Sequence, residues 1–434
     1  MRNLDLKNIY QSINTRNLVL SFPMLILIVK HWASAVTILA FILSVAFIVK
    51  NVNSVKTLFE SPNSTKLKLV CLMLASPFLA VSLGQIFRLE FSPREFDAPL
   101  RIALCIPVFL AVASGWLREG ESNGAITELW MTRSIPAALI VTLVFCTVAP
   151  FYWGSDRLAT YFVDPLTLGA VCLLFSILTL APYIIFKFKS SVHAVIVFAV
   201  FIVGIYLSIM SGSRTGWASL PLLSICAVFY YFKPKYGVFK SLVGLICFFV
   251  GGAYAIALLA PTFTAHITLG AHEFVDYNWN SINPVASVSD RISMYRMGII
   301  YFLKQPLSGW GQLGWMKVMD MPEIMVFASE QTRIWPKAGF HNEIITSAVR
   351  SGIWGLCSSV MQFVVPFYFA VAYARKTVDS VRLIAIFVFA YTFHSLIFGL
   401  TTEITGLVFL ASFFGLTQAL CLGELIYTES RTCR

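Results

Sequence analysis

Twelve separate stretches of this chain are apolar enough to enter a lipid bilayer, and that pattern constrains the fold more than any motif in it. A hydrocarbon core about 30 Å thick is crossed by roughly 20 mostly apolar residues in helical form. Runs of that kind fall near 18–29, 32–49, 69–86, 99–116, 135–150, 165–186, 193–210, 217–232, 241–260, 352–374, 381–400 and 404–427, the first being short. With 58% hydrophobic and 12% charged residues and a mean hydropathy of +0.78, the composition lies outside the range of soluble domains. The expected fold is all-α: a polytopic membrane protein of about twelve transmembrane helices.

Charge sets the expected orientation. Lysine and arginine collect in alternate short loops, at Lys50 to Lys68, Arg118 and Arg133, Lys187 and Lys189, Lys233 to Lys240, and Arg375 to Arg382. By the positive-inside rule those loops and both termini are cytoplasmic. The polar opening from Arg2 to Arg16 has no cleavage site after an isolated apolar core, so a cleavable signal peptide is not expected. The net charge of +11 reads as topology and contact with anionic lipid, and no nucleic-acid partner is expected. Eight of the nine cysteines fall inside apolar spans and Cys433 in the tail. Neither a CxxC nor a Cys/His ligand spacing occurs, so no metal and no disulfide framework is expected.

This topology divides the chain into residues 1–260, with nine spans and short loops, a large non-cytoplasmic segment at 261–351, and residues 352–434, with three spans and a tail. Within the large segment Ser287-Val288-Ser289-Asp290 has the pattern of a capping box. Ile292, Tyr295, Ile299 and Phe302 continue at helical spacing to about Lys304, and Pro306 with Gly309-Trp310-Gly311 ends the helix.

Arginine outnumbers lysine on this non-cytoplasmic side, the reverse of the opposite face. A guanidinium keeps its charge and presents forked donors that match phosphate oxygens, so the bias suggests an anionic head group. Arg214 lies in Ser211-Gly212-Ser213-Arg214-Thr215-Gly216 between two spans. It is either a snorkelling anchor or a phosphate contact, with small neighbours that let backbone N–H groups form an anion nest. Arg291 falls in the first turn of the capped helix, where a phosphate is favoured; the plain alternative is a solvated arginine or one paired with Asp290. Arg101 and Arg157 follow Asp97 and Asp156, so salt bridges compete with ligand contacts there. His341, at the start of the run into the tenth span, suits a general base if a hydroxyl reaches it, and is otherwise a structural histidine. Asn342 and Glu343 would orient it or cap the following helix.

Taken in order, Ser211-Gly-Ser-Arg214, Asp290-Arg291-Ile-Ser-Met-Tyr295, Lys304-Gln-Pro306, Gly309-Trp-Gly311, Phe340-His341-Asn342-Glu343 and Ser351-Gly352-Ile-Trp-Gly355 resemble the bacterial O-antigen ligases and the related O-antigen polymerases. The resemblance covers about residues 150 to 360. It implies a GT-C-like membrane glycosyltransferase of the bacterial inner membrane, with its site facing the periplasm and without metal, nucleotide or other cofactor. The implied donor is an O-antigen glycan linked by pyrophosphate to undecaprenol; the implied acceptor is a sugar hydroxyl of lipid A-core. Arg214 and Arg291 would hold the pyrophosphate, with Arg101 and Arg157 as further candidates, and His341 would take the acceptor proton, giving inversion. One departure stands out: many members carry Glu nine residues after the motif histidine, where this chain has Arg350. A polymerase would use the same donor. A flippase for the same lipid would instead show inverted repeats, broken helices and midplane charges, and the spans hold almost no charge.

Overall fold

The computed structural model describes residues 15–118, 125–154, 156–214, 216–227, 233–259, 261–376 and 378–432. The N-terminal polar stretch up to residue 14, Thr215 and Cys433 lie outside the described residues. The helices are α1 Thr15–Leu25, α2 Trp32–Lys50, α3 Val52–Glu60, α4 Ser64–Arg88, α5 Asp97–Ala103, α6 Cys105–Ala113, α7 Ile135–Val148, α8 Pro165–Leu180, α9 Ser191–Met210, α10 Ser219–Ala227, α11 Lys233–Leu259, α12 Pro261–Val275, α13 Ser287–Lys304, α14 Glu343–Ala374, α15 Asp379–Gly399 and α16 Val408–Thr432, with a few single turns between them. Among the described residues the strands are two three-residue pieces, β1 Phe151–Trp153 and β2 Arg157–Ala159, paired antiparallel with Tyr152 opposite Leu158. The chain is an all-α polytopic membrane protein.

Among the described residues ten helical segments are long and apolar enough to cross a membrane. Two of the twelve expected spans are shorter. The stretch at 18–29 forms the 11-residue α1, with Pro23 inside it, before the chain turns; at 1.5 Å per residue that is about 17 Å. The stretch at 217–232 begins as the nine-residue α10, and residues 228–232 lie outside the described residues.

The bundle core is built where α8 packs on α9, α14 on α4 and α15, and α16 on α5 and α6. Local sequence explains several starts. Pro165 supplies a preset φ at the first position of α8, and Asp164 accepts from the backbone N–H of Leu166 (2.9 Å) and Thr167 (3.1 Å). At one end Lys66 donates to Glu429 (2.8 Å) and Tyr373 (2.7 Å), with Lys376 3.7 Å from the same carboxylate. Lysine-bearing loops and the C-terminal tail therefore meet, as their charge pattern predicts. The opposite end carries the arginines.

At that arginine end a second core, separate from the membrane core, is formed by Met294, Met297, Tyr301, Trp315, Ile324, Phe327, Ala328, Phe340 and Val349. Trp315 and Phe340 are fully buried with ring centroids 5.2 Å apart, and truncating a ring of this size typically costs about 3–5 kcal/mol. The core face of α13 is thus Met294, Met297 and Tyr301 rather than the Ile292 to Phe302 series, in which Ile299 is exposed. The helix ends at Lys304 as expected, but its start differs. Ala286 stands at the cap position without a side-chain bond, and the N–H of Val288 is accepted by the Glu273 carboxylate at 2.7 Å. The capping box is therefore not formed.

α14 is broken at Gly352, whose φ of 63° and ψ of −146° no β-carbon would tolerate easily. The segment 306–311 closes the break: Ile353 donates to Pro306 (2.7 Å), Trp310 to the Val349 carbonyl (2.8 Å) and Gly311 to the Arg350 carbonyl (3.0 Å). Arg88 at the end of α4 donates to the carbonyls of Ser308 and Arg350, both 2.8 Å, and pairs with Glu95 at 2.9 Å. Backbone groups freed by the break are satisfied by protein, as irregular backbone near a membrane requires.

Candidate active site

Four outer connections bring their side chains together. The β-hairpin holds Arg157 so that its Nε donates to the Ser211 carbonyl at 3.1 Å. That carbonyl is free because α9 ends at Met210. The Ser-Gly-Ser turn is closed on itself: the N–H groups of Ser211, Gly212 and Ser213 go to Leu207, Ile209 and the Ser211 hydroxyl. The N–H groups of Ser211 to Ser213 are therefore committed within the protein and do not form an anion nest. Arg214 reaches away from its own turn to the carbonyl of His266 on α12 and to within 3.5 Å of the Ser287 hydroxyl at the start of α13.

Arg291, one turn into α13, is half-buried and has no hydrogen-bond or ion-pair partner among the described residues. Its neighbour Asp290 does not pair with it; Asp290 is buried and accepts from Thr332 at 2.7 Å. Burial holds both Arg157 and Arg291 below the ordinary arginine value. Mutual repulsion adds to it, since Arg214 acts on both and Arg157 acts on Arg291. Nearby acids oppose this only in part: Asp164 and Asp156 favour the charged form of Arg157, and Glu273 that of Arg291. Three guanidinium groups thus share one field, and such a cluster is costly unless an anion completes it.

His341 belongs to the same field. It adopts φ 49°, a left-handed conformation uncommon for a residue with a β-carbon. Strain of this kind is held only where the surroundings fix it. Tyr295, one helical turn after Arg291, shares its hydroxyl proton between the carbonyls of His341 (3.2 Å) and Leu400. The imidazole is pushed below its ordinary value by burial first and by Arg291 second, while the Thr401 backbone works in the other direction. The 400–405 loop that carries Thr401 therefore lies beside the imidazole.

Asn342 caps α14, accepting from the N–H of Ile345 at 3.1 Å. Glu343 is buried, and its hydrogen bonds lead to the 400–407 connection rather than to His341. One oxygen accepts from the N–H groups of Ile404 (2.6 Å) and Thr405 (3.0 Å), the other from the hydroxyls of Thr405 and Ser347. Any orienting effect of Glu343 on His341 therefore runs through the loop that carries Thr401. Arg350 meets the buried Glu403 of that loop at 2.6 Å. Burial raises the Glu403 carboxyl, and Arg350 counters it. Arg101 pairs with Asp97 at 3.2 Å, four residues back on α5, and is not among the charges acting on Arg157, Arg291 or His341. The structure thus unites Arg157, Arg214, Arg291 and His341 and leaves Arg101 outside.

Tyr295 and the 400–405 loop are parts of the site that carried no role in the sequence reading. Tyr295 stood inside a quoted motif. The loop offered no signal beyond Glu403 beside a span.

Comparison with known proteins adds two findings. Residues 198–360 match the family model described as O-Antigen ligase. A relative from Haemophilus influenzae (strain ATCC 51907 / DSM 11121 / KW20 / Rd), described as an uncharacterized protein, is 25% identical over 285 residues, covering 64% of this chain and 66% of its own length. The matched region contains Arg214, Arg291 and His341, whereas Arg157 and the 400–405 loop lie outside it. Over residues 198–360, then, this multi-pass membrane protein is similar to the O-antigen ligase family.

Proposed function

We propose that the protein transfers a glycan from undecaprenyl pyrophosphate to a sugar hydroxyl of lipid A-core on the periplasmic face of the inner membrane. The observation that carries this reading is the field shared by Arg157, Arg214 and Arg291, in which Arg291 has no protein partner, beside an imidazole kept neutral. A pyrophosphate is the anion such a cluster suits: charged hydrogen bonds to it contribute about 1.5–3 kcal/mol each.

In the transfer, the acceptor oxygen forms a bond to the anomeric carbon as the bond from that carbon to the pyrophosphate oxygen breaks. A ring nitrogen of His341 takes the hydroxyl proton. The electron pair of the broken bond leaves with undecaprenyl pyrophosphate, and the guanidinium groups offset its growing charge. Direct displacement inverts the anomeric centre. In this reading charge neutralisation rests on arginine, and the step uses neither nucleotide nor metal.

The test is an electrophoretic profile of surface glycolipids from a strain lacking the protein, with a probe for undecaprenyl-linked polymer. Long polymer stranded on undecaprenol beside bare lipid A-core is the expected result. Core bearing a single repeat unit would assign a polymerase and overturn the acceptor.

A further inference from the structure

A cavity of about 220 Å³ opens at the arginine end of the bundle, between the end of α4, the 94–99 turn, the Gly352 break and the 400–407 loop. It shares no residue with the Arg157, Arg214, Arg291 and His341 cluster. Its polar wall holds Arg94, Glu95, Asp97, Gln312, Arg350 and Thr405, over a floor that includes Pro77 and Val81.

The charge balance of that wall differs from the arginine cluster. Two guanidinium groups face two carboxylates, so no net positive field draws an anion. Much of the polar capacity is fixed by protein. Glu95 accepts from Arg88 (2.9 Å) and from the Gln312 N–H (3.2 Å), and Arg350 binds Glu403. Some of it is not. The Nε of Arg350 is buried without a partner, and the exposed side chains of Arg94 and Gln312 have none among the described residues. Donors and acceptors interleaved over a partly apolar floor match a ring that carries hydroxyls on its edge and C–H groups on its face. That is the chemistry of a neutral sugar.

The cavity is also joined to the reacting end. Thr405 and Ser347 in its wall are the hydroxyl donors to Glu343, two residues from His341. We propose that this cavity binds a neutral, hydroxyl-rich sugar of the acceptor saccharide, distant from the hydroxyl that reacts. The assignment rests on the transferase reading for its acceptor but not for its sugar.

The test uses the purified full-length protein and the double variant Arg94→Ala/Gln312→Ala, both substitutions being exposed and so mild for folding. Core oligosaccharide freed of lipid by mild acid is titrated calorimetrically without donor, and transfer kinetics are then measured with both substrates. At least fivefold weaker oligosaccharide binding and a matching rise in acceptor KM are expected, with donor KM as in the unmodified protein. Equal binding by both proteins, or no binding to either, would overturn the proposal. A rise confined to donor KM would assign the cavity to the donor glycan instead. Weakened binding in the variant, with no transfer by the unmodified protein, would preserve the sugar site and overturn the transferase reading.

Discussion

Replacing Glu343 tests whether the 400–405 loop sets the position of the catalytic imidazole. The two oxygens of its carboxylate face different partners: one faces the backbone N–H groups of Ile404 and Thr405, the other the hydroxyls of Thr405 and Ser347. Glutamine can place its oxygen on the N–H side and its amide NH2 against the hydroxyls, which rotate to accept. Glu343→Gln therefore keeps the contacts and loses charge assistance, about 1 kcal/mol for each of the two backbone bonds. Glu343→Ala leaves two buried N–H donors without an acceptor, at about 1–3 kcal/mol each. If the released loop carries Thr401 away from the imidazole, kcat falls by up to roughly 30-fold for Gln and by 10²-fold or more for Ala. On the proposed function the donor is held elsewhere, by Arg157, Arg214 and Arg291, so donor affinity should hold. The assay is single-turnover transfer from a fluorescent undecaprenyl-pyrophosphate glycan in detergent, with donor binding as the fold control. An Ala variant that binds donor and turns over at the unmodified rate would refute the loop's role.

Further outcomes follow from the same geometry. Arg291→Ala and Arg214→Ala should each lose at least 10²-fold in kcat/KM through lost leaving-group stabilisation, read by the same transfer assay, with membrane insertion unchanged. His341→Ala should abolish turnover while donor binding persists, because a base serves the chemistry and not the affinity. Burial and Arg291 hold the His341 imidazole below its ordinary value, so its basic form is favoured at neutral pH and kcat/KM should fall only on acidification. Arg291→Gln removes one cause of that depression, and the imidazole titration followed by NMR should move upward. Gly352→Ala would set a β-carbon against the Pro306 carbonyl and Leu307 in a left-handed conformation, so the yield of folded protein should drop, measured by fluorescence size-exclusion chromatography.

The membrane architecture was legible in the sequence because lipid imposes one rule along the whole chain: a long apolar run must be a helix. It was less legible where the run is short or interrupted. α1 stops at Leu25, and length alone does not reveal that end. Arginine and histidine at a membrane boundary stood out in the sequence, and Arg157, Arg214, Arg291 and His341 fall in one charge field. Arg101 was grouped with them on the same ground, but its guanidinium meets Asp97, and only three-dimensional placement separates the two cases. The roles of Tyr295 and Thr401, and the route by which Glu343 reaches the site, were out of reach for a related reason. Tyr295 and Thr401 act through backbone groups and Glu343 through a loop 61 residues away, and a hydrogen bond to a carbonyl leaves no mark on residue type.

The loop beside the imidazole is also synthesised after the arginines it completes the site with. Arg157, Arg214 and Arg291 emerge in order, and residues 400–405 follow Arg291 by more than a hundred positions. At about 5–20 residues per second, all three arginines are present together for roughly 5–23 s before that loop is made. On the proposed function, the nascent protein can meet a lipid-linked donor during that interval but lacks the loop beside its base. Competence would then wait on residues 400–405, and a chain truncated before Leu400 would bind donor without consuming it.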